Sequence, residues 1–324
     1  MTSVSVLIPT QRRPGPLALA ARSVLAQAGL DGVALELVIV DNDAAPSART
    51  AAVALADEAC FPVRYVHEPR PGVAHARNAA VAASTGEWIA FLDDDEEAPP
   101  GWLAALLAAQ ARFDADVVFG AVRARIPAGV TRLRPYFEQF FSRLGPAAAG
   151  VIEVPYGCGD SLVRRAALPH PTAPFALERN EMGGEDDVLF QAMRVAGARF
   201  AWSPEAWVWE DPAPERLNLG YTLSRAFAHG QGPTRLALQR TPPDRLGFAR
   251  WMVIGAGQAV LFGALAVGQA MVRSPRWPHT LSRAVAGLGK LFGWGPFQLR
   301  FYGRTVGPRQ GRGPGVSTRT PAPG

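Results

Sequence analysis

Short apolar runs recur along the first 120 residues: VSVLIP (4–9), LELVIV (35–40), VRYV (63–66), WIAFL (88–92) and DVVFG (116–120). Each has the length and side-chain bulk of a strand buried on both faces. Alanine-rich stretches near 16–28, 47–59, 73–85 and 99–112 lie between them and read as helices. Strand and helix alternating at this spacing predict βαβ units. The fold class is therefore α/β, Rossmann-like, with a mostly parallel sheet covered by helices on both faces. In such sheets ligands bind at the carboxyl ends of the strands.

The pattern changes in the C-terminal third. Residues 251–272, WMVIGAGQAVLFGALAVGQAMV, hold no charge and are bracketed by Arg250 and Arg273. As a helix they reach about 33 Å, enough for a hydrocarbon core of ~30 Å. Gly255, Ala259 and Gly263 recur every four residues, which predicts close helix packing. Over 281–302, Leu281, Val285, Leu288 and Phe292 make an apolar stripe with Arg283 and Lys290 off it, the pattern of a helix lying in a membrane interface. Pro296 is expected to end or kink that helix. The Gly/Pro/Arg-rich tail is expected to be disordered. The predicted organisation is a catalytic-type α/β domain (1–230), a basic connector (231–250), membrane-associated hydrophobic and amphipathic helices (251–302) and a disordered basic tail (303–324).

Charge sharpens this division. The net charge of +5 on 324 residues splits into −9 over residues 1–215 and +14 over residues 216–324, where Asp244 is the single acid. A basic C-terminal part meets a polyanion or a membrane surface. Its arginines are interleaved with apolar helices and no nucleic-acid motif accompanies them, so the predicted partner is a membrane, not nucleic acid. Two cysteines, Cys60 and Cys158, make no disulfide framework, compatible with a reducing cytosol. MTSVSVLIPTQRR has no basic stretch before its apolar run and reads as a strand, not a signal peptide.

Candidate chemistry gathers at the strand ends. WIAFL runs directly into five carboxylates, Asp93 to Glu97. A solvated acidic turn is one explanation; a cation site, which turns the mutual repulsion into attraction, is the other. The first strand ends in PTQRRP, the second in VDND (Asp41, Asp43), and the third leads to HEPRPGVAHARN, where Gly72 opens a helix carrying Arg77 and Asn78. Neither GxGxxG nor GxxxxGK[ST] follows the first strand, so dinucleotide and P-loop readings lose their phosphate cradle. A divalent cation on an Asp-x-Asp pair can neutralise a diphosphate instead. Further on, EMGGEDDVLF places Glu185, Asp186 and Asp187 in a first helical turn, where the dipole keeps a carboxylate ionised as a general base requires. Trp202, Trp207 and Trp209 can stack on a sugar or pack in the core. His75 is expected at the surface or in a helix cap, His229 has no evident partner, and the turn at Gly157–Asp160 is either a plain turn or an acceptor entrance.

Taken in order, VSVLIPTQRRP, VDND, RPGVAHARNAAV, FLDDDEE and GGEDDVLF resemble glycosyltransferase family 2 over roughly residues 3–230. The stretch WVWEDPAPERLNLGYTLSRAFAHGQ (207–231) is similar to bacterial exopolysaccharide-type members, such as those of succinoglycan biosynthesis. The resemblance implies a GT-A fold and inverting transfer of a sugar from a nucleotide-diphosphate donor to a saccharide or lipid-linked acceptor. It implies a Mn²⁺ or Mg²⁺ cofactor and work at the cytoplasmic face of the cell membrane. By position, Pro9, Thr10 and Arg13 would border the nucleotide base, Asp41 would accept a hydrogen bond from it, and Arg77 would lie by the base or diphosphate. Asp93 and Asp95 would form the Asp-x-Asp pair, Asp95 holding the metal and Asp93 the ribose or metal. The run of three aspartates lets the register shift by one, which brings Asp94 into the donor-binding set. Asp186 would be the catalytic base. The chain departs from the family pattern at Gln11 and Arg12, where PTYNR is common, and at VWED, where Glu210 stands in place of a metal-binding histidine. A non-catalytic nucleotide-binding membrane scaffold and a nucleotidyltransferase are the alternatives. Both acidic motifs weigh against the first, and the lack of a glycine- and arginine-rich first loop weighs against the second.

Overall fold

The apolar runs form strands and the alanine-rich stretches form helices close to the expected limits. The structure, a computed structural model, describes residues 1–180, 183–240, 242–293 and 297. In chain order it contains β1 (Thr2–Thr10), α1 (Pro14–Leu25), β2 (Val33–Asp41), α2 (Arg49–Glu58), β3 (Val63–His67), α3 (Val73–Ala83), β4 (Trp88–Phe91) and β5 (Glu96–Glu97). Next come α4 (Trp102–Phe113), β6 (Val117–Ala124), α5 (Arg134–Phe141), β7 (Gly150–Ile152), β8 (Ser161–Arg164), α6 (Glu185–Val195) and β9 (Phe200–Glu210). The C-terminal helices are α7 (Leu219–Gly230), α8 (Gly232–Gln239), α9 (Arg245–Met271) and α10 (Trp277–Leu291).

Among the described residues nine strands make one sheet, ordered β3-β2-β1-β4-β8-β6-β9-β5, with β7 also on β9. The β3-β2-β1-β4 half is parallel, as the alternation predicts. The other half is mixed. β8 inserts between β4 and β6 antiparallel to both, and β9 runs parallel to β6 but antiparallel to β5 and β7. The insertion matters because Ser161 pairs with Phe91. The start of β8, and the turn before it, therefore lie at the carboxyl end of β4, beside the acidic run. Helices α1, α2 and α4 cover one face through Leu17, Leu55 and Leu106, and α3 and α6 cover the other through Ala80 and Phe190. Both faces are dry, which is why the strands read as continuous apolar runs.

The C-terminal helices differ in detail from the sequence expectation. Helix α9 begins at Arg245, so Arg250 lies within it. Its best 18-residue window has a mean hydropathy of 1.7 and is 11% buried, with Val253, Val260, Leu261 and Val267 among its exposed residues. By length and composition this is one helix apolar enough to cross a membrane. Helix α10 starts at Trp277, before the expected stripe, and packs its small residues Thr280, Ala284 and Gly287 inward. Lys290, expected on an open polar side, is buried. Close approach explains the change: a Cβ on Gly287 would lie 2.8 Å from the backbone of Ala259 and Gly255. Small residues on both helices let the backbones touch, and Lys290 is enclosed where they do. Tyr136 of α5 bonds Ser282 at 2.7 Å, tying the hairpin to the sheet domain. Pro296 and the 303–324 tail lie outside the described residues.

Helix α3 starts at a point held by three separate chain segments. Gly72 N–H donates to Asn42 Oδ1 at 2.8 Å, and Asn180 Oδ1 accepts from the N–H groups of Ala74 and His75 at 3.1 and 3.3 Å. His75 thus meets its cap through its backbone. Gly72 has φ +123°, and a Cβ there would sit 2.0 Å from Asn180 Nδ2. Strained backbone and a displaced cap together predict that Gly72→Ala destabilises the fold by about 1–3 kcal/mol. Thermal unfolding should show a lowered midpoint, and an unchanged midpoint would refute this account.

Candidate active site

The carboxyl ends of β1 and β4 open into a cavity of about 220 Å³. Pro9, Thr10, Arg13, Arg77, Asp93, Asp94 and Asp95 all line it, together with Gln11, Asn42 and Arg216. Thr10 Oγ1 donates to Asp94 Oδ2 at 2.7 Å, and Arg13 reaches Asp94 at 2.6 Å and Asp95 at 3.1 Å. Arg216 approaches Asp95 at 3.4 Å. The acidic run is therefore no solvated turn: Asp94 is buried and two arginines face its neighbour. Burial pushes the Asp94 carboxyl up to about 6, against the pull of Arg13.

Asp41 departs from expectation. Its oxygens accept from Ser47 Oγ at 3.1 Å, Ala48 N–H at 2.6 Å and Tyr65 Oη at 2.9 Å, and it is fully buried outside the cavity lining. A carboxylate so enclosed braces the β2–α2 turn in this structure and does not face a nucleobase. Its neighbour Asn42 reaches the cavity.

A second cavity of about 440 Å³ adjoins the first and shares Val73, Arg77 and Asp93 with it. Gly183 and Gly184, both at positive φ, turn the chain into α6, whose first turn presents three acids. They serve differently. Glu185 is buried and ion-paired with Arg77, which also reaches Asp93 at 3.3 Å. Asp186 lines the larger cavity, its Oδ2 accepting from the Cys158 N–H at 3.1 Å. Asp187 faces Arg179 and Arg235, and burial pushes its carboxyl up. Burial opposes the Arg77 charge, but Glu185, Asp93 and Asp186 outweigh it and hold the guanidinium protonated.

The turn before β8 forms the cavity wall. Arg143 donates to the carbonyls of Gly157 at 3.1 Å and Gly159 at 2.6 Å, which fixes the Cys158 N–H on Asp186. Asp160 points away, buried against Trp102 Nε1 at 2.7 Å, and burial pushes it up to about 7. Burial also raises the Cys158 thiol far above its usual range, which removes it as a nucleophile. Glu210, at the end of β9, enters the larger cavity. Burial, then Asp95 and Asp93, push it up to about 8. Trp202 is core, its Nε1 donating to Pro146 O at 2.8 Å. Trp207 and Trp209 pack edge to face on each other and line neither of the two cavities.

Sequence reasoning missed Arg143, Arg216, Arg225 and Arg235, and left His229 without a partner. Arg225 and His229 line the larger cavity from α7, Arg235 from α8. His229 feels Asp186, but burial and Arg225 keep its ring neutral. The spacing of Arg225 and His229 by four residues on one helix was the available signal. Arg143 had none, since its partners are carbonyls.

Among the described residues no three His, Cys, Asp or Glu side chains are grouped to enclose an ion by themselves. The donor set nonetheless fits a hard divalent cation. Asp93, which lines both cavities, and Asp95, which lines the smaller one, offer carboxylate oxygens close together, with Glu210 entering from the larger cavity. Such cations commonly take one or two protein carboxylates and fill their shell from phosphates and water.

Comparison with known proteins agrees with this geometry. The Glycosyl transferase family 2 model matches residues 5–170. The succinoglycan biosynthesis protein ExoM of Rhizobium meliloti (strain 1021) is 36% identical over 90% of this chain and 92% of its own. A Pyrobaculum calidifontis mannosyltransferase, solved with GDP-Man and Mn²⁺, superposes with a TM-score of 0.59 at 20% identity, covering 89% of this chain and 86% of that one. S. aureus TarS with UDP gives 0.50 at 16% identity, covering 89% of each chain. These likenesses show the GT-A fold. A sheet of that fold, with the family model across its strand ends and a relative alike over nearly its whole length, means that the chain belongs to glycosyltransferase family 2.

Proposed function

We propose that the protein is an inverting, nucleotide-sugar-dependent glycosyltransferase that extends a lipid-linked saccharide at the cytoplasmic face of the cell membrane. The observation that carries this is the junction of two cavities at Arg77 and Asp93, with Asp186 on the larger side alone. The smaller cavity suits a nucleotide, and the structural neighbours solved with GDP-Man and UDP support that use. The larger suits an acceptor. Where they meet, a donor diphosphate and an acceptor hydroxyl can come together.

In this reading Pro9, Thr10 and Arg13 border the nucleoside, and Arg77 and Arg216 face the diphosphate. A divalent cation held by Asp95 and Asp93 would supply Lewis-acid stabilisation of the charge on the departing diphosphate. Asp186 takes the proton of the acceptor hydroxyl as its oxygen bonds to the anomeric carbon. The bond to the diphosphate breaks on the opposite face, and configuration inverts. The Cys158 N–H orients Asp186, and the neutral ring of His229 lines the same cavity. Glu185 takes no proton from substrate in this scheme, because Arg77 occupies it.

Exposed apolar residues along α9 and the +14 charge on residues 216–324 support membrane attachment. The relative in succinoglycan biosynthesis supports a saccharide acceptor.

Three experiments test the proposal. Asp95→Asn should abolish Mn²⁺-dependent binding of nucleoside diphosphate in calorimetric titration while the protein stays folded; unchanged affinity in both Asp95→Asn and Asp93→Asn rules out the donor role. Asp186→Asn should bind donor nearly normally and transfer ~10²-fold or more slowly, the usual cost of losing a general base. If Asp187→Asn suffers that loss and Asp186→Asn does not, the base is Asp187. Full-length protein should stay with membranes after high-salt washing and leave them with detergent; a soluble monomer without detergent overturns the membrane assignment.

A further inference from the structure

The wall of the larger cavity facing the carboxylates is basic. Arg225 and His229 stand one turn apart on α7, and Arg235 follows on α8. Arg235 Nε is buried without a hydrogen-bond partner among the described residues. Asp187 and the guanidinium of Arg179 lie near it; burial, then Arg179, lower its affinity for its proton, and Asp187 raises it. Guanidinium groups placed side by side and partly removed from water gain from an anion that joins them. The smaller cavity has cations of its own in Arg13, Arg77 and Arg216, so a nucleoside diphosphate bound there does not need Arg225 or Arg235.

The same wall borders exposed apolar surface. Leu236 is 56% exposed on α8 beside Arg235, Leu238 follows, and α8 packs against α9 with its outward Val253, Val260 and Leu261. An anion taken up here would have hydrocarbon-compatible surface next to it. We infer that Arg225 and Arg235 form an anion subsite on the acceptor side of the cleft, for the phosphate or diphosphate of an acceptor carried on an apolar chain. Guanidinium forks bind phosphate oxygens in pairs, so the headgroup is fixed in orientation as well as in place. Its sugar hydroxyl is then presented to Asp186 from the α7–α8 side, and a saccharide lacking the phosphate lacks that anchor. The inference rests on reading the cleft as a transferase site.

The test is direct binding to detergent-solubilised full-length protein, with farnesyl diphosphate, farnesol and inorganic pyrophosphate as probes. Farnesyl diphosphate should bind more tightly than either part alone. Arg225→Ala and Arg235→Ala should each weaken it by about tenfold or more, as expected for loss of a charge-assisted hydrogen bond. Arg→Lys at each position should restore part of the loss, and farnesol binding should not change. Titration with UDP and GDP in the same variants should match wild type, which shows that the fold and the donor side are intact. Unchanged farnesyl diphosphate affinity in both alanine variants overturns the subsite. Pyrophosphate binding as tightly as farnesyl diphosphate overturns the apolar-chain requirement, and lost nucleotide binding in the variants moves the arginines to the donor. If neither UDP nor GDP binds wild type while farnesyl diphosphate does, the transferase reading fails and the subsite stands.

Discussion

The buried guanidinium of Arg77 holds the site together. It enters from α3, at the end of the parallel half of the sheet, and pairs with Glu185 in the first turn of α6 and with Asp93 after β4. Removing a charge from water costs several kcal/mol, and these carboxylates repay it only while all three elements keep their places. The two cavities meet at Arg77 and Asp93. Glu185 is thereby committed to structure, which leaves Asp186, one position on, facing open space. One ion pair thus divides a row of three acids into an anchor, a carboxylate that lines the larger cavity and a partner for the basic wall.

The remaining charge in the cleft is balanced incompletely by protein alone. Arg13 and Arg216 face Asp94 and Asp95, yet Asp94 and Glu210 still sit well above ordinary carboxylate values because burial outweighs those partners. Burial raises Glu96 well above the ordinary carboxylate range as well, and its Oε2 accepts from the Asp93 N–H. A site that holds so many acids together gains from a cation on one side and from a diphosphate between that cation and the arginines.

The C-terminal helices belong to the same machine. Helix α10 packs against α7 and α9, and α7 and α8 deliver Arg225, His229 and Arg235 into the cleft. A helix hairpin with an exposed apolar surface is therefore mechanically continuous with the cavity wall that carries Arg225, His229 and Arg235. Small residues make this joint. Gly287 against Ala259, and Gly289 against Phe227 O, bring backbones so close that a side chain would separate the helices.

Most of the parallel half was legible in the sequence, because a strand buried on both faces must be apolar along its length, as in LELVIV, and the helices between must be short and alanine-rich. The acids of FLDDDEE and GGEDD were legible for a related reason: like charges are crowded at a strand end or helix start only where something offsets them. Several assignments were decided by tertiary structure. Asp41 looked like a donor ligand, but Tyr65 and the Ala48 N–H enclose it. β8 is four residues whose strand identity comes from pairing with β4 and β6, and no periodicity marks it. Arg143 finds its role through carbonyls of a distant turn, and Lys290 is buried by a helix crossing. Periodicity and local charge are properties of neighbours along the chain, so the sequence alone determined the elements and the acidic motifs. Which carboxylate is caged, which is paired and which stays open depends on residues dozens of positions away, and only the folded chain brings them into contact.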